Sequence, residues 1–188
     1  RCLLVDRSSG TQVSTSGSWQ FAAAPGTLGT GYDIDLELVW EAVTKACRDA
    51  LQKAHVESSA VAAIAVSAMR FSTVVLGEDG KSLLAVDNRD ARAAGEYFEV
   101  AEKMGQQLLQ DTGCWPLPLH ASARLLWLKK QQPDNFSQTQ TVFGMGEWLT
   151  WRLSGVRAID ATLASATGLF HLTEKAWCWQ VIDELGLP

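Results

Sequence analysis

Apolar and polar positions change their period several times along the chain, and each change marks an expected element. A short apolar run over residues 2–6 precedes Arg7-Ser8-Ser9-Gly10, and Val13, Thr15, Trp19 and Phe21 then recur at even spacings between polar neighbours. This pattern predicts a β-hairpin over residues 2–21. Ala24-Pro25-Gly26-Thr27-Leu28-Gly29-Thr30-Gly31 follows, and its three glycines and one proline predict an irregular loop. Leu36, Val39, Trp40, Val43, Cys47 and Leu51 recur at three- and four-residue steps, which places them on one face of a helix, with Asp35 positioned to accept from the free first-turn amides. Val61-Ala62-Ala63-Ile64-Ala65-Val66 is too short for another helix and reads as a strand buried on both faces, ending at Ser67-Ala68-Met69-Arg70. Thr73-Val74-Val75-Leu76 and Ser82-Leu83-Leu84-Ala85-Val86 flank Glu78-Asp79-Gly80-Lys81, a second hairpin in which Gly80 takes positive φ. The rest is mainly helical: residues 91–104, 121–131 stopped by Pro133, 146–153 closed by Gly155, and 174–185 closed by Gly186. The order predicts an α/β fold, a mixed sheet flanked by helices with a helical portion after it.

Composition narrows the class. With 188 residues, 47% of them hydrophobic and 20% charged, the chain can hide about 70% of its unfolded surface, enough for one domain whose core needs neither disulfide nor structural metal. A net charge of -5 with scattered Lys and Arg offers no basic stripe, so nucleic acid is not an expected partner. No apolar run approaches the roughly 20 residues that cross a bilayer, and the first residues lack a signal-peptide pattern, so a cytoplasmic protein without membrane contact is expected. Cys2, Cys47, Cys114 and Cys178 lie far apart with no C-x-x-C pair and read as reduced thiols.

Candidate chemistry is sparse, and each candidate has an ordinary structural reading beside it. Arg70 follows the segment read as a buried strand, where open α/β sheets place ligands; its planar fork suits a hydroxyl or carboxylate, or simply a neighbouring carbonyl or acid. Asp90, in Asn88-Arg89-Asp90-Ala91-Arg92, reads first as the N-cap of the next helix and second as an acceptor for polyol hydroxyls held ionised by Arg92. Trp148 and Trp151 sit three apart, the spacing of core packing more than of sugar stacking. Asp160 reads as a turn or cap. His55, His120 and His171 have no Ser or Cys partner at a motif spacing, and neither a P-loop nor a G-x-G-x-x-G cradle occurs.

Several segments, taken together and in order, resemble the FGGY carbohydrate kinases. Residues 119–133, LHASARLLWLKKQQP, resemble the signature around T-A-P-K-L-L-W-L-K, with Ala121 for Thr or Ser and Arg124 for Lys. Residues 147–155, EWLTWRLSG, resemble D-Y-L-x-x-R-L-T-G, and residues 159–170 resemble T-D-x-S-x-A-S-x-T-x-L-F. Trp177 and Leu185-Gly186-Leu187-Pro188 match later landmarks. Met69-Arg70-Phe71 falls on the sugar-contacting loop, and Arg89-Asp90-Ala91-Arg92 on W-x-D-x-R, with Asn88 in place of Trp.

The resemblance implies a ribonuclease H-like fold of the actin/hexokinase type, its first strand apparently missing, with residues 1–188 forming most of the N-terminal, sugar-side domain and the C-terminal nucleotide-binding domain absent. It implies an ATP- and Mg²⁺-dependent phosphotransfer to a sugar or polyol hydroxyl, on a xylulose-like ketose or autoinducer-2-type substrate. Met69, Arg70, Phe71 and Asp90 are then substrate-binding. The family's catalytic base sits in a G-D-x-x-A motif downstream of the segment matching residues 185–188, so no catalytic residue, cofactor site or metal site is assigned here. ATP and Mg²⁺ are expected in the complete enzyme, with no tight binding to this chain alone. A homodimer is a further expectation, because an uncovered strand edge invites pairing. The alternative is a non-catalytic module that binds a sugar or a protein partner.

Overall fold

The computed structural model describes residues 1–188. Strands β1 (Cys2–Val5) and β2 (Gln12–Thr15) form an antiparallel hairpin with Cys2 opposite Thr15. Trp19 and Phe21 lie outside it and pack on one another beside the core, ring centroids 4.7 Å apart, so their even spacing reflects burial and not a longer strand. Strands β3 (Ala22–Ala23) and β4 (Tyr32–Asp33) enclose the glycine-rich loop, which Thr27 ties shut: its hydroxyl donates to the Ala24 carbonyl at 2.7 Å and accepts from the Gly31 amide at 3.0 Å. Helix α1 (Leu36–Ala54) starts where the pattern places it, and one Asp35 carboxylate oxygen accepts the amides of Glu37 and Leu38 at 3.0 and 3.1 Å.

Strands β5 (Thr73–Leu76) and β6 (Ser82–Val86) form the second hairpin, with Gly80 at φ 77° in its turn. Then come α2 (Ala94–Thr112), α3 (Ala121–Gln131), α4 (Pro133–Ser137), β7 (Thr141–Phe143) and α5 (Met145–Ser154). The chain ends with α6 (Ala161–Ser165), the short hairpin of β8 (Phe170–His171) and β9 (Ala176–Trp177), and α7 (Trp179–Leu185).

The central sheet has the order β3-β4-β6-β5-β7. Because successive strand residues face opposite sides, Val74 and Leu76 of β5 join α1 and α5 in one core with Phe143 and Trp148, while Val75 joins Leu84, Val86, Leu125 and Leu128 under α3. Helix α3 is apolar on both sides. Leu125 and Leu128 meet the sheet, and Leu126 meets a third core made by Val100, Met104 and Leu108 of α2 and by Val181, Ile182 and Leu185 of α7. Lys129 fastens the outer layer by donating to the carbonyls of Leu185 and Gly186 at 3.2 and 2.9 Å.

Four expectations are corrected. Every strand pairing is antiparallel, so the sheet is not mixed in strand direction. The segment expected to be a strand buried on both faces, residues 61–66, is not a strand; it has no neighbour to pair with, and Ile64 is 67% exposed. Composition favours an extended backbone there, but only a neighbouring strand turns such a segment into a ladder. The second long helix begins at Ala94 and not at residue 91, so Asp90 is not its N-cap. The last helix begins at Trp179, because residues 174–178 are taken up by the β8–β9 hairpin.

Candidate functional site

The loop leading into β5 and the turn leaving β6 lie side by side because the two strands are paired, Thr73 opposite Val86. That pairing brings residues 69–71 next to residues 87–90. Arg124, at the start of α3 and fully buried, joins them. One guanidinium nitrogen, Nη1, donates to the Phe71 carbonyl and at 3.2 Å to the Thr73 hydroxyl; the other, Nη2, donates to the carbonyls of Asp87 and Asp90 at 2.6 and 2.9 Å. A planar fork with five N–H groups is suited to hold three carbonyls on two segments at once. Burial pulls the Arg124 pKa down to about 10, which leaves it charged at neutral pH, supported by the Asp90 and Asp87 carboxylates.

The turn is an ionic lattice. Asp87 accepts from the amides of Arg89 and Asp90 at 2.8 and 3.0 Å and from Arg89 Nε at 2.7 Å. Asp90, fully buried, accepts from the Tyr32 amide at 2.7 Å and from Arg92 Nε at 2.8 Å through Oδ2, while Oδ1 faces the Arg92 amide at 3.3 Å. Arg92 reaches on to Asp33 at 2.5 Å and lies over the Trp127 ring, 5.0 Å from its centroid. Three carboxylates thus face three guanidiniums, Arg89, Arg92 and Arg124, and the charges balance.

Above this base lies the loop. Phe71 has φ 59°, a left-handed conformation uncommon for a residue with a side chain, and its ring stacks on His120 at 5.8 Å and 27°. Met69 is half-buried against the α1 and α5 core. Arg70 is exposed; its guanidinium makes no ion pair within the chain and rests 5.3 Å from the Phe71 ring centroid. Burial, with the nearby Arg124 charge, lowers the His120 pKa to about 4, so the imidazole is neutral at pH 7. Behind it, Gly168 at φ 70° leaves room that a Cβ would take from the imidazole.

Of the four residues singled out in the sequence, Met69, Arg70 and Phe71 form the rim and Asp90 the buried base, and Arg124 brings the two groups together. From sequence, Arg124 stands out only as a substitution within a motif; a lone arginine in the apolar run SARLLWL is the available signal. Asp160 caps α6, accepting from Thr162 and Leu163 at 2.7 and 3.1 Å, and Trp148 is a core residue beside Trp40. No group of three or more His, Cys, Asp or Glu is placed to hold a metal ion. The exposed Arg70 guanidinium beside the Phe71 ring has the chemistry to hold a hydroxylated ligand.

Residues 6–188 match the FGGY family of carbohydrate kinases, N-terminal domain. The chain belongs to this family. An autoinducer-2 kinase of Salmonella choleraesuis (strain SC-B67) is 33% identical over 183 residues, covering 95% of this chain and 34% of that protein. Two solved structures from Lactobacillus acidophilus, a gluconate kinase and a ligand-bound xylulose kinase, each superpose with a TM-score of 0.84 at 28% identity, covering 99% of this chain and 37% of theirs. The chain therefore spans about a third of the length of these FGGY relatives, whose names carry three different substrates. The fold is a mixed α/β domain of the FGGY N-terminal, actin-like kind. No helix is long and apolar enough to cross a membrane.

Proposed function

We propose that the chain is the sugar-side part of an ATP-dependent carbohydrate kinase that transfers the γ-phosphate of ATP to a hydroxyl of a sugar or polyol, with a xylulose-like ketose or an autoinducer-2-type compound as substrate. The observation that carries the reading is the joining of residues 69–71 to residues 87–90 by Arg124 within an FGGY domain. On this reading the fold is the larger part of a ribonuclease H-like domain.

Met69, Arg70, Phe71 and Asp90 then form the substrate side. Arg70 donates to sugar hydroxyls, and the edges of Met69 and Phe71 meet the apolar C–H faces of the carbon chain. Asp90 acts from beneath, since both its oxygens already accept from Tyr32 and Arg92; it keeps the turn rigid under the loop. The FGGY family uses ATP and Mg²⁺, which supply the phosphoryl group and neutralise its charge during transfer. On this reading the part of residues 1–188 is to bind and orient the acceptor.

The test is ADP release with ATP, Mg²⁺ and a panel of ketoses, polyols, gluconate and the autoinducer-2 precursor, run on this chain and on the longest reading frame that contains it. Turnover by the longer protein alone is the expected result, and the panel then names the substrate. Absence of turnover in both, with sugar binding retained by calorimetry, replaces the kinase by a sugar-binding module.

A further inference from the structure

Two residues one turn apart at the start of α3 hold Phe71 in its left-handed conformation, φ 59°. Arg124 takes the backbone, through the Phe71 carbonyl, and His120 takes the side chain, its imidazole stacked on the ring at 5.8 Å and 27°. A backbone outside the ordinary regions persists only where its surroundings over-determine it, and such residues gather at ligand clamps. The direction of Arg70 follows from that grip. Its guanidinium lies against the same ring, 5.3 Å from the centroid, with no ion pair to direct it elsewhere.

His120 is an odd residue for its place. It is 2% exposed and occupies the N-cap of α3, yet its side chain accepts none of the helix's amides. Gly168 closes the room around it, for a Cβ there would overlap Nδ1 and stand 2.8 Å from Cγ. Gly168 is fixed in turn: the carbonyl of Thr167 accepts the Ala121 amide at 3.1 Å, and the Thr167 hydroxyl accepts the Leu169 amide at 3.1 Å. So confined, the imidazole has little freedom to leave the Phe71 ring. It is neutral at pH 7 and adds no positive charge to those of Arg124 and Arg70.

We infer that His120 is a positioning residue of the candidate site: by bearing on the Phe71 ring, it fixes where the rim presents the Arg70 guanidinium. Arg124 alone secures only the carbonyl of Phe71 and leaves the ring, with Arg70 against it, free to change rotamer. This role rests on the proposed function, in which Arg70 donates to sugar hydroxyls. It also brings Thr167 and Gly168, which belong to neither loop of the site, into the geometry of the rim, because a side chain at position 168 acts on Phe71 through the imidazole.

Trypsin reads the grip without any substrate, since Arg70 is exposed and the bond that follows it is a cleavage point. In the longest reading frame that contains this chain, His120→Ala is expected to speed that cut about tenfold. His120→Phe restores an aromatic face and returns the rate to within about twofold of the parent protein. Cleavage elsewhere and the far-UV circular dichroism stay as they were. Gly168→Ala also speeds the cut, but adds nothing in the His120→Ala background. With D-xylulose, D-gluconate and the autoinducer-2 precursor as substrates, His120→Ala raises the KM about fivefold more than it alters kcat, His120→Phe recovers it, and in the Arg70→Ala background the KM rises no further. Cleavage at Arg70 that His120→Ala leaves unchanged overturns the inference. So does a His120→Phe variant cut as fast as His120→Ala, a Gly168→Ala effect that persists without the imidazole, or a KM that His120→Ala does not move. A panel without turnover removes the kinase reading alone, and the cleavage rates still decide for or against His120.

Discussion

Arg124 decides the local structure around the rim. Replacing it with Met leaves the carbonyls of Phe71, Asp87 and Asp90 without their donors and removes a cation from between two buried carboxylates, which costs about 3–5 kcal/mol in urea unfolding. Arg124→Lys keeps the charge but not the fork, and recovers only part of that loss. His120 adds a pH dependence. Its folded pKa, near 4, lies below the ordinary 6.5, so between these values the unfolded chain binds more protons and stability rises with pH. The stability present above pH 6.5 is lost as pH falls towards 4, by an upper bound of about 3 kcal/mol. Urea titrations across that window show the slope, and His120→Gln flattens it. Arg70, exposed and without an ion-pair partner, is a different case. On the proposed kinase reading, Arg70→Ala in the longest reading frame that contains this chain raises the KM for the sugar about tenfold, with the melting temperature unchanged. An unaltered KM removes Arg70 from the site.

Among the long helices, α1 is the one whose start rests on a side-chain cap. Asp35→Ala gives up the bonds to the Glu37 and Leu38 amides and costs about 1 kcal/mol, measured by chemical denaturation. Elements of this kind were legible in the sequence. Periodicity and a cap are local properties, and α1, α3 and the β5–β6 hairpin stand where local pattern put them. Residues 61–66 were not legible, because a strand exists only with a neighbour and the chain provides none. The site divides in the same way. Motif resemblance singles out Met69, Arg70, Phe71 and Asp90 as candidates, yet Asp90, whose local pattern reads as a helix cap, instead grips Tyr32 and Arg92. Phe71 and Asp90 are nineteen residues apart, and what joins them comes from α3, more than thirty residues further on; no local pattern encodes such a contact.

At the scale of the whole molecule, the order of layers is α1 and α5, the sheet, α3, then α2 with α7. Each core holds tryptophan: Trp148, with Trp19, Trp40 and Trp151 packed against it, in the first, Trp127 of α3 beside the second, and Trp177 beside the outermost. Because α3 contributes Leu125 and Leu128 to one core and Leu126 to the next, peeling away the outer helices would bare the far side of a helix the sheet also needs. The layers should therefore be lost together. Urea transitions followed by tryptophan fluorescence and by far-UV circular dichroism are expected to coincide, and an early fluorescence change confined to a Trp177-only variant would show that the outer layer detaches first. The two-sided α3 has one more consequence. A helix that is common property of two cores makes the rim's anchor, Arg124, as durable as the molecule itself: the loop it holds cannot loosen by local fraying, and amides around Thr73 should exchange only through global opening.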